Sequence, residues 1–400
     1  MSDTPSVAPA ILGTFIVQTM AALALYSIPV FAPIAALDYG VPATQVGLFS
    51  AIAYFTAMTA GLLTGGFVTR YGALRTGQFC MLFAACGMVS FTFASPWVAI
   101  ISAIFLGLNY GPVNPLSAHI LTRVTTPKTR PLIFSIKQTG VTIGGAIAGV
   151  TVPFLILQYD WRTSALILAA AMLFTMALVQ PLRSALDHDR RPDAPLRGAA
   201  ILDSVRLIMK DPVTFHLAVM ALVYSGVQLT AAAFLVIYLN NDLALSLPEA
   251  GALFAASQIG GAFGRIFWGA ISGALFSARL ILGALGVISA TCLGALAFTE
   301  PGWSITALTA LCFALGASSS GWNGVYLSEV ASAAPPGKIG EVTGGVQFFM
   351  FSGAFITPPI FSAIASFYDS FTIAYIVFAI FIGLTGLSLS WLSKYRRTGA

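Results

Sequence analysis

"SALDHDRRPDAPLRGAAILDSVRLIMKDP", residues 184–212, is the only long polar stretch in a chain of 400 residues. The remainder is apolar: 58% of the chain is hydrophobic, 8% is charged and the mean hydropathy is +0.89. Soluble domains carry about 25% charged residues, so this chain lacks the polar side chains to cover a water-facing surface. Lipid is the solvent for most of it. Before the polar stretch, apolar runs fall at 10–36, 44–69, 77–95, 97–123, 132–157 and 163–182. After it they fall at 213–239, 248–273, 279–298, 303–328, 342–367 and 371–393. Each run approaches or exceeds the roughly 20 residues that span hydrocarbon. Backbone groups in lipid must bond within their own segment, so the runs are helices. The expected fold is an all-α integral membrane protein of 12 transmembrane helices in two pseudo-symmetric six-helix bundles, with 1–183 as the first bundle, 184–212 as a cytoplasmic linker and 213–400 as the second.

Charge placement sets the orientation. Of the 19 Lys and Arg, 16 lie in loops on the linker's side of the membrane and Arg162 alone lies opposite, while Lys137 and Arg265 fall within or at the ends of helices. Basic loops stay in the cytoplasm, so the linker and both termini are expected there, in a multi-pass protein of the cell inner membrane. The opposite side carries Asp38, Asp160, Asp242, Glu249, Glu300 and Asp369. The net charge of +5 thus reflects topology, and no nucleic-acid partner is expected. "MSDTPSVAPAILG" at the N-terminus has no basic run before the first apolar segment and no nearby cleavage site. It reads as the start of the first membrane helix, not as a cleaved signal. Cys80, Cys86, Cys292 and Cys312 all lie in apolar runs without paired spacing. They read as buried small hydrophobes, and no metal or cofactor is expected.

The halves repeat. Gln138 is followed six residues later by Gly144, with Pro153 beyond. Gln347 is followed six residues later by Gly353, with Pro358 and Pro359 beyond. "GGFVTRYGALR" (65–75) and "WGAISGALFSAR" (268–279) are both helix ends with glycine, a small polar residue and a following arginine. The first resembles the loop 2–3 signature of the major facilitator superfamily of secondary transporters: Gly66, Arg70, Gly72 and Arg75 match, but Thr69 stands where that pattern has aspartate. Gly273 occupies the related acidic position of the second half. "TGVTIGGAIAGVTVP" is similar to the glycine-rich fifth helix of the superfamily, and "SIKQTG" with "GWNGVYLSEV" (321–330) resembles a bacterial subgroup with analogies to small-anion and monocarboxylate carriers. The resemblance runs from about residue 10 to 395. It implies that helices 1, 4, 7 and 10 line a central cavity and that 5, 8 and 11 flank it.

A carrier of this kind binds its cargo near mid-membrane, and polar side chains at depth are the candidates. These are Gln18 and Tyr26 in helix 1; Asn109, Tyr110 and Asn114 in helix 4; Lys137 and Gln138 in helix 5; and Tyr224 and Gln228, one turn apart, in helix 7. Gln258 in helix 8, Trp322, Asn323 and Tyr326 in helix 10, and Gln347 in helix 11 complete the set. Each has a structural reading as well. Asn and Gln bridge neighbouring helices, and Tyr and Trp anchor at the membrane interface. Gating or coupling candidates lie toward the cytoplasm: His119, Arg70, Arg75, Arg123, Arg265, Glu329 and Glu341, with an ion-pair network expected among Arg265, Glu329 and Glu341. For Lys137 three readings stay open: a ligand for an anion, a stem that snorkels to the surface, or a structural bond to a carbonyl.

No Asp or Glu lies in the middle of any helix. A neutral-to-basic interior favours a cargo of opposite sign. The expected function is therefore secondary transport of a small organic anion by a monomer, coupled to protons. A multidrug–proton exporter is the alternative on the same fold. A membrane-embedded enzyme finds no nucleophile–base pair, metal cluster or nucleotide loop here. The topology is tested by single-cysteine labelling in intact cells: Ser184→Cys and Ser370→Cys are expected to differ in accessibility, and same-side labelling would overturn the orientation.

Overall fold

The computed structural model describes residues 7–126, 129–194, 196, 201–272, 275–335 and 339–395, and their side chains other than those of 130–132, 201–203, 339–341 and 390–395. The described residues are mostly helical. The first half holds α1 (Val7–Tyr39), α2 (Val46–Tyr71), α3 (Ala73–Phe91), α4 (Pro96–Tyr110), α5 (Val113–Val124), α6 (Arg130–Gln158), α7 (Trp161–Leu178) and the short α8 (Arg183–Leu186). After α9 (Ile201–Lys210) come α10 (Pro212–Asn241), α11 (Leu247–Ile271), α12 (Ala278–Ala297), α13 (Ile305–Ser319), α14 (Trp322–Ala333), α15 (Ile339–Tyr368) and α16 (Phe371–Tyr395). Among the described residues 11 segments are long and apolar enough to cross a membrane. The twelfth expected crossing, α11, has 25 residues, but Gln258, Arg265 and its glycines dilute its apolar character.

Local sequence explains the helix starts. Asp160 accepts from the amides of Arg162 and Thr163 to cap α7, and Asp211 caps α10 through Thr214 N. Ser246 and Glu249 form a reciprocal capping box at α11, which satisfies amides that otherwise lack a helical acceptor. Two expected crossings are not single helices. The run 97–123 breaks at Gly111–Pro112 into α4 and α5, and the run 303–328 breaks at Ser320–Gly321 into α13 and α14. At the first break Pro112 and Pro115 withdraw two backbone donors. At the second, Ser320 and Gly321 are weak helix formers.

The helices group into two compact units, residues 1–43 with 52–199 and residues 44–51 with 200–400. In the first, α1 packs along α6, and α3 along α4 and α7. In the second, α10 packs along α15, α12 along α16, α11 along α13, and α9 lies on α15. The repeated glycine makes the central packing possible in each. A Cβ at Gly144 of α6 would strike the backbone oxygen of Thr19 in α1, and one at Gly353 of α15 would strike that of Leu222 in α10. Small residues that let backbones approach drive helix association where lipid is as apolar as leucine. The large side chains left exposed, such as Phe154 and Leu157 on α6 and Phe381 and Leu384 on α16, match a hydrocarbon solvent.

Gly144→Val is therefore expected to wedge α1 from α6, costing on the order of 1–3 kcal/mol or more. Thermal unfolding of the purified chain checks this; a melting temperature equal to wild type would contradict the close approach.

Candidate functional site

In the first unit the polar residues converge on Lys137. It lies on α6 and is only 2% exposed. Its ammonium donates to Gln18 Oε1 of α1 at 2.5 Å, to Asn114 Oδ1 of α5 at 2.7 Å and to the neighbouring Gln138 Oε1 at 3.1 Å. A lysine has three N–H donors, and three amide oxygens from three helices receive them. The side chain points inward, so the snorkelling reading falls. Two features bring the amides there. Gly140, whose added Cβ would crowd Thr19 Oγ1 and Gln18 Cβ, lets α1 approach α6. The break at Gly111–Pro112 precedes Asn114 by two residues.

The other candidates of this unit divide. Tyr26 is buried and its hydroxyl hydrogen-bonds that of Tyr54 on α2. The Tyr54 ring meets Tyr110 edge-on at 6.1 Å. Tyr54 was not among the sequence candidates, because "AIAYFTAMTAG" reads as an uninterrupted apolar face. Asn109 is fully buried, and its Nδ2 donates to Ala21 O at 3.2 Å. It ties α4 to α1.

The second unit holds a polar group at its own helix break, without a charge. Gln228 Oε1 on α10 accepts from Trp322 Nε1 at 3.0 Å and Asn323 Nδ2 at 3.4 Å. The Trp322 ring sits edge-on to Tyr224 at 5.7 Å and to Tyr326 at 5.2 Å. Tyr224 and Tyr326 are buried. Their hydroxyls donate to Leu282 O at 2.7 Å and Leu217 O at 3.1 Å, tying them to α12 and α10. Trp322 is likewise fully buried. Gln228, Asn323 and Gln347 are half-buried, and Gln258 is buried on α11.

At the end of α5, His119 Nε2 and Arg123 each reach Asp189 at 2.7 Å. Arg123 also donates to Leu186 O and contacts His188. Burial pushes the Asp189 carboxyl up, but the His119 hydrogen bond and the charges of His119 and Arg123 bring it below its ordinary range. Arg70 lies over the Tyr71 ring, 5.6 Å from its centre. In the second half Glu329 pairs with Arg279 at 2.6 Å. Arg279 at the start of α12 reaches the same helix end as Glu329. Arg265 is buried on α11, and the Glu341 side chain lies outside the described residues. The sequence signal for Arg279 was its place as the arginine that closes "WGAISGALFSAR".

A profile of the Major Facilitator Superfamily matches residues 14–358. The Hexuronate transporter of Bacillus subtilis (strain 168) is 23% identical over 375 residues, covering 88% of this chain and 86% of that protein. In three dimensions the chain is similar to a bacterial homologue of the human lysosomal transporter Spinster, solved in an inward-facing and unoccupied conformation. The TM-score is 0.73 at 15% identity, covering 96% of this chain and 97% of that one.

The Arg279–Glu329 pair is mostly shielded, with side chains 11% and 14% exposed. Removing one partner strands the other, so Glu329→Gln is expected to cost about 3 kcal/mol, whereas Arg279→Met with Glu329→Gln costs less. Thermal unfolding of the single and double variants decides between this and a pair that contributes nothing.

Proposed function

From the chain's membership of the Major Facilitator Superfamily, we propose that this transporter carries a small organic anion bearing a carboxylate, by alternating access. The observation that carries the reading is the buried ammonium of Lys137 held by three amide oxygens. Amides are reversible partners. Their oxygens accept from the ammonium, and their NH2 groups donate to a carboxylate that comes to it. A carboxylate entering beside Nζ gains a charge-assisted bond in a setting where charges are weakly screened.

Gln18, Asn114, Gln138 and Lys137 form the proposed binding set, with Tyr26, Tyr54 and Tyr110 supplying hydroxyls two turns along α1 from Gln18. A sugar acid suits this mixture of one cation and many neutral donors, and the hexuronate transporter relative supports that class. The proton is the proposed co-ion. Moving an anion inward against an inside-negative membrane costs about 2.3 kcal/mol per charge per 100 mV, and a proton moving with it cancels that cost. The 16-to-1 distribution of loop cations supports an inner-membrane protein with both termini in the cytoplasm.

Uptake of labelled glucuronate into proteoliposomes, with an imposed pH gradient, tests the reading beside a cationic-dye efflux assay. Lys137→Ala is expected to abolish uptake while the protein stays folded. Lys137→Arg keeps the charge but not the compact three-donor head and loses most activity. Asn114→Asp places a carboxylate against the ammonium as a permanent counter-ion, raising KM by about tenfold or more, or about 1.4 kcal/mol. Near-normal uptake by Lys137→Ala would end the anion reading.

A further inference from the structure

The turn between α2 and α3 lacks its own acid. Thr69 spends its hydroxyl inside α2, donating to Gly65 O at 2.9 Å. The residue at the N-cap of α3 is Gly72, which has no side chain and sits at φ 101°. The first amides of a helix have no acceptor within it, and here the acceptor comes from far along the chain. Asp187 Oδ1 accepts from Leu74 N at 2.7 Å and its Oδ2 from Arg75 N at 3.0 Å. Asp187 is 4% exposed, and any Cβ at Gly72 would overlap its carboxyl. Burial pushes the Asp187 carboxyl above its ordinary range, against the pull of those two amides. Arg183 stands 3.6 Å away.

The residues that follow Asp187 are tied to the same surface. Asp189 meets His119 and Arg123, and Arg191 N donates to Thr69 O at 2.7 Å. The linker's opening residues thus replace what the turn lacks: a carboxylate for the helix start and a donor for the last turn of α2.

We propose that Asp187 is a positioning residue for transport. Its carboxylate holds the α2–α3 turn, with Arg70 and Arg75, and latches the first residues of the linker onto the first half. A cap of local importance would steady only α3. A latch also holds Arg191, on the far side of the contact, and sets the turnover of the carrier without altering how it grips cargo.

Amide hydrogen exchange on the full chain in nanodiscs tests this without any cargo. In Asp187→Ala, exchange at Leu74 and Arg75 is expected to rise about five- to tenfold, the size of a lost helix cap. The Arg191 amide is expected to rise with them, while amides deeper in α3 stay protected. Asp187→Asn, which keeps one acceptor oxygen, falls between, and it serves if the alanine variant does not fold. Glucuronate uptake supplies the second arm and rests on the function proposed above: Vmax falls several-fold and KM stays within about twofold. Unchanged exchange at Arg191, or raised exchange with an unchanged Vmax, overturns the proposal. A wild-type chain that takes up no glucuronate sinks the sugar-acid reading instead, and the exchange pattern then decides the latch alone.

Discussion

A charged group taken into hydrocarbon must bring its acceptors with it, because no water waits to replace them. Much of the first unit is organised around that requirement. Gln18 has to come from α1, so α1 must lie close to α6, and Gly140 and Gly144 remove the side chains that would keep them apart. Asn114 has to come from the fourth crossing, so that crossing breaks just before it. The three oxygens around Lys137 are the visible outcome of a packing arrangement paid for along three helices.

The two units descend from one plan but differ in chemistry. Gln138 and Gly144 answer to Gln347 and Gly353 six residues apart in each half, yet the residue before Gln347 is Val346, fully buried. At this position the first half has the cation and the second half has valine. In its place the second unit gathers an indole, two phenols and neutral amides around its own break. The phenols are committed to backbone carbonyls. One unit thus buries an ammonium among amide oxygens, and the other an indole among phenols and amides.

The crossings were legible in the sequence because bilayer thickness sets a length that apolar runs reveal directly. Lys137 stood out in the sequence because a cation in such a run has few explanations. What escaped was whatever depends on distant pairing. Tyr54 looks like any aromatic on an apolar helix until Tyr26 and Tyr110 meet it. Arg279, which pairs with Glu329, is 50 positions away from it. "GPVNP" carried the signal for the first broken helix, whereas "SSSG" at the second had no proline to mark it. Asp187 read as one charge among many in a polar stretch, because nothing local shows that a helix start 113 positions earlier needs an acceptor.

The anchoring of the segment between the halves changes its mechanical character. Read as a string of 29 residues, 184–212 would reach about 100 Å when extended at 3.3–3.6 Å per residue. Its first part is held through Arg191 by the contacts to Thr69, His119 and Arg123. Its last part is the helix α9, whose Ile208 is fully buried and packs close to Gly345 of α15. Ten peptide steps separate Arg191 from Ile201, a covalent reach of about 35 Å at most. The segment is a short strap and not a loose tether. Its covalent reach is set by residue count and not by side-chain chemistry, and is about a third of what the whole segment would span if nothing held it.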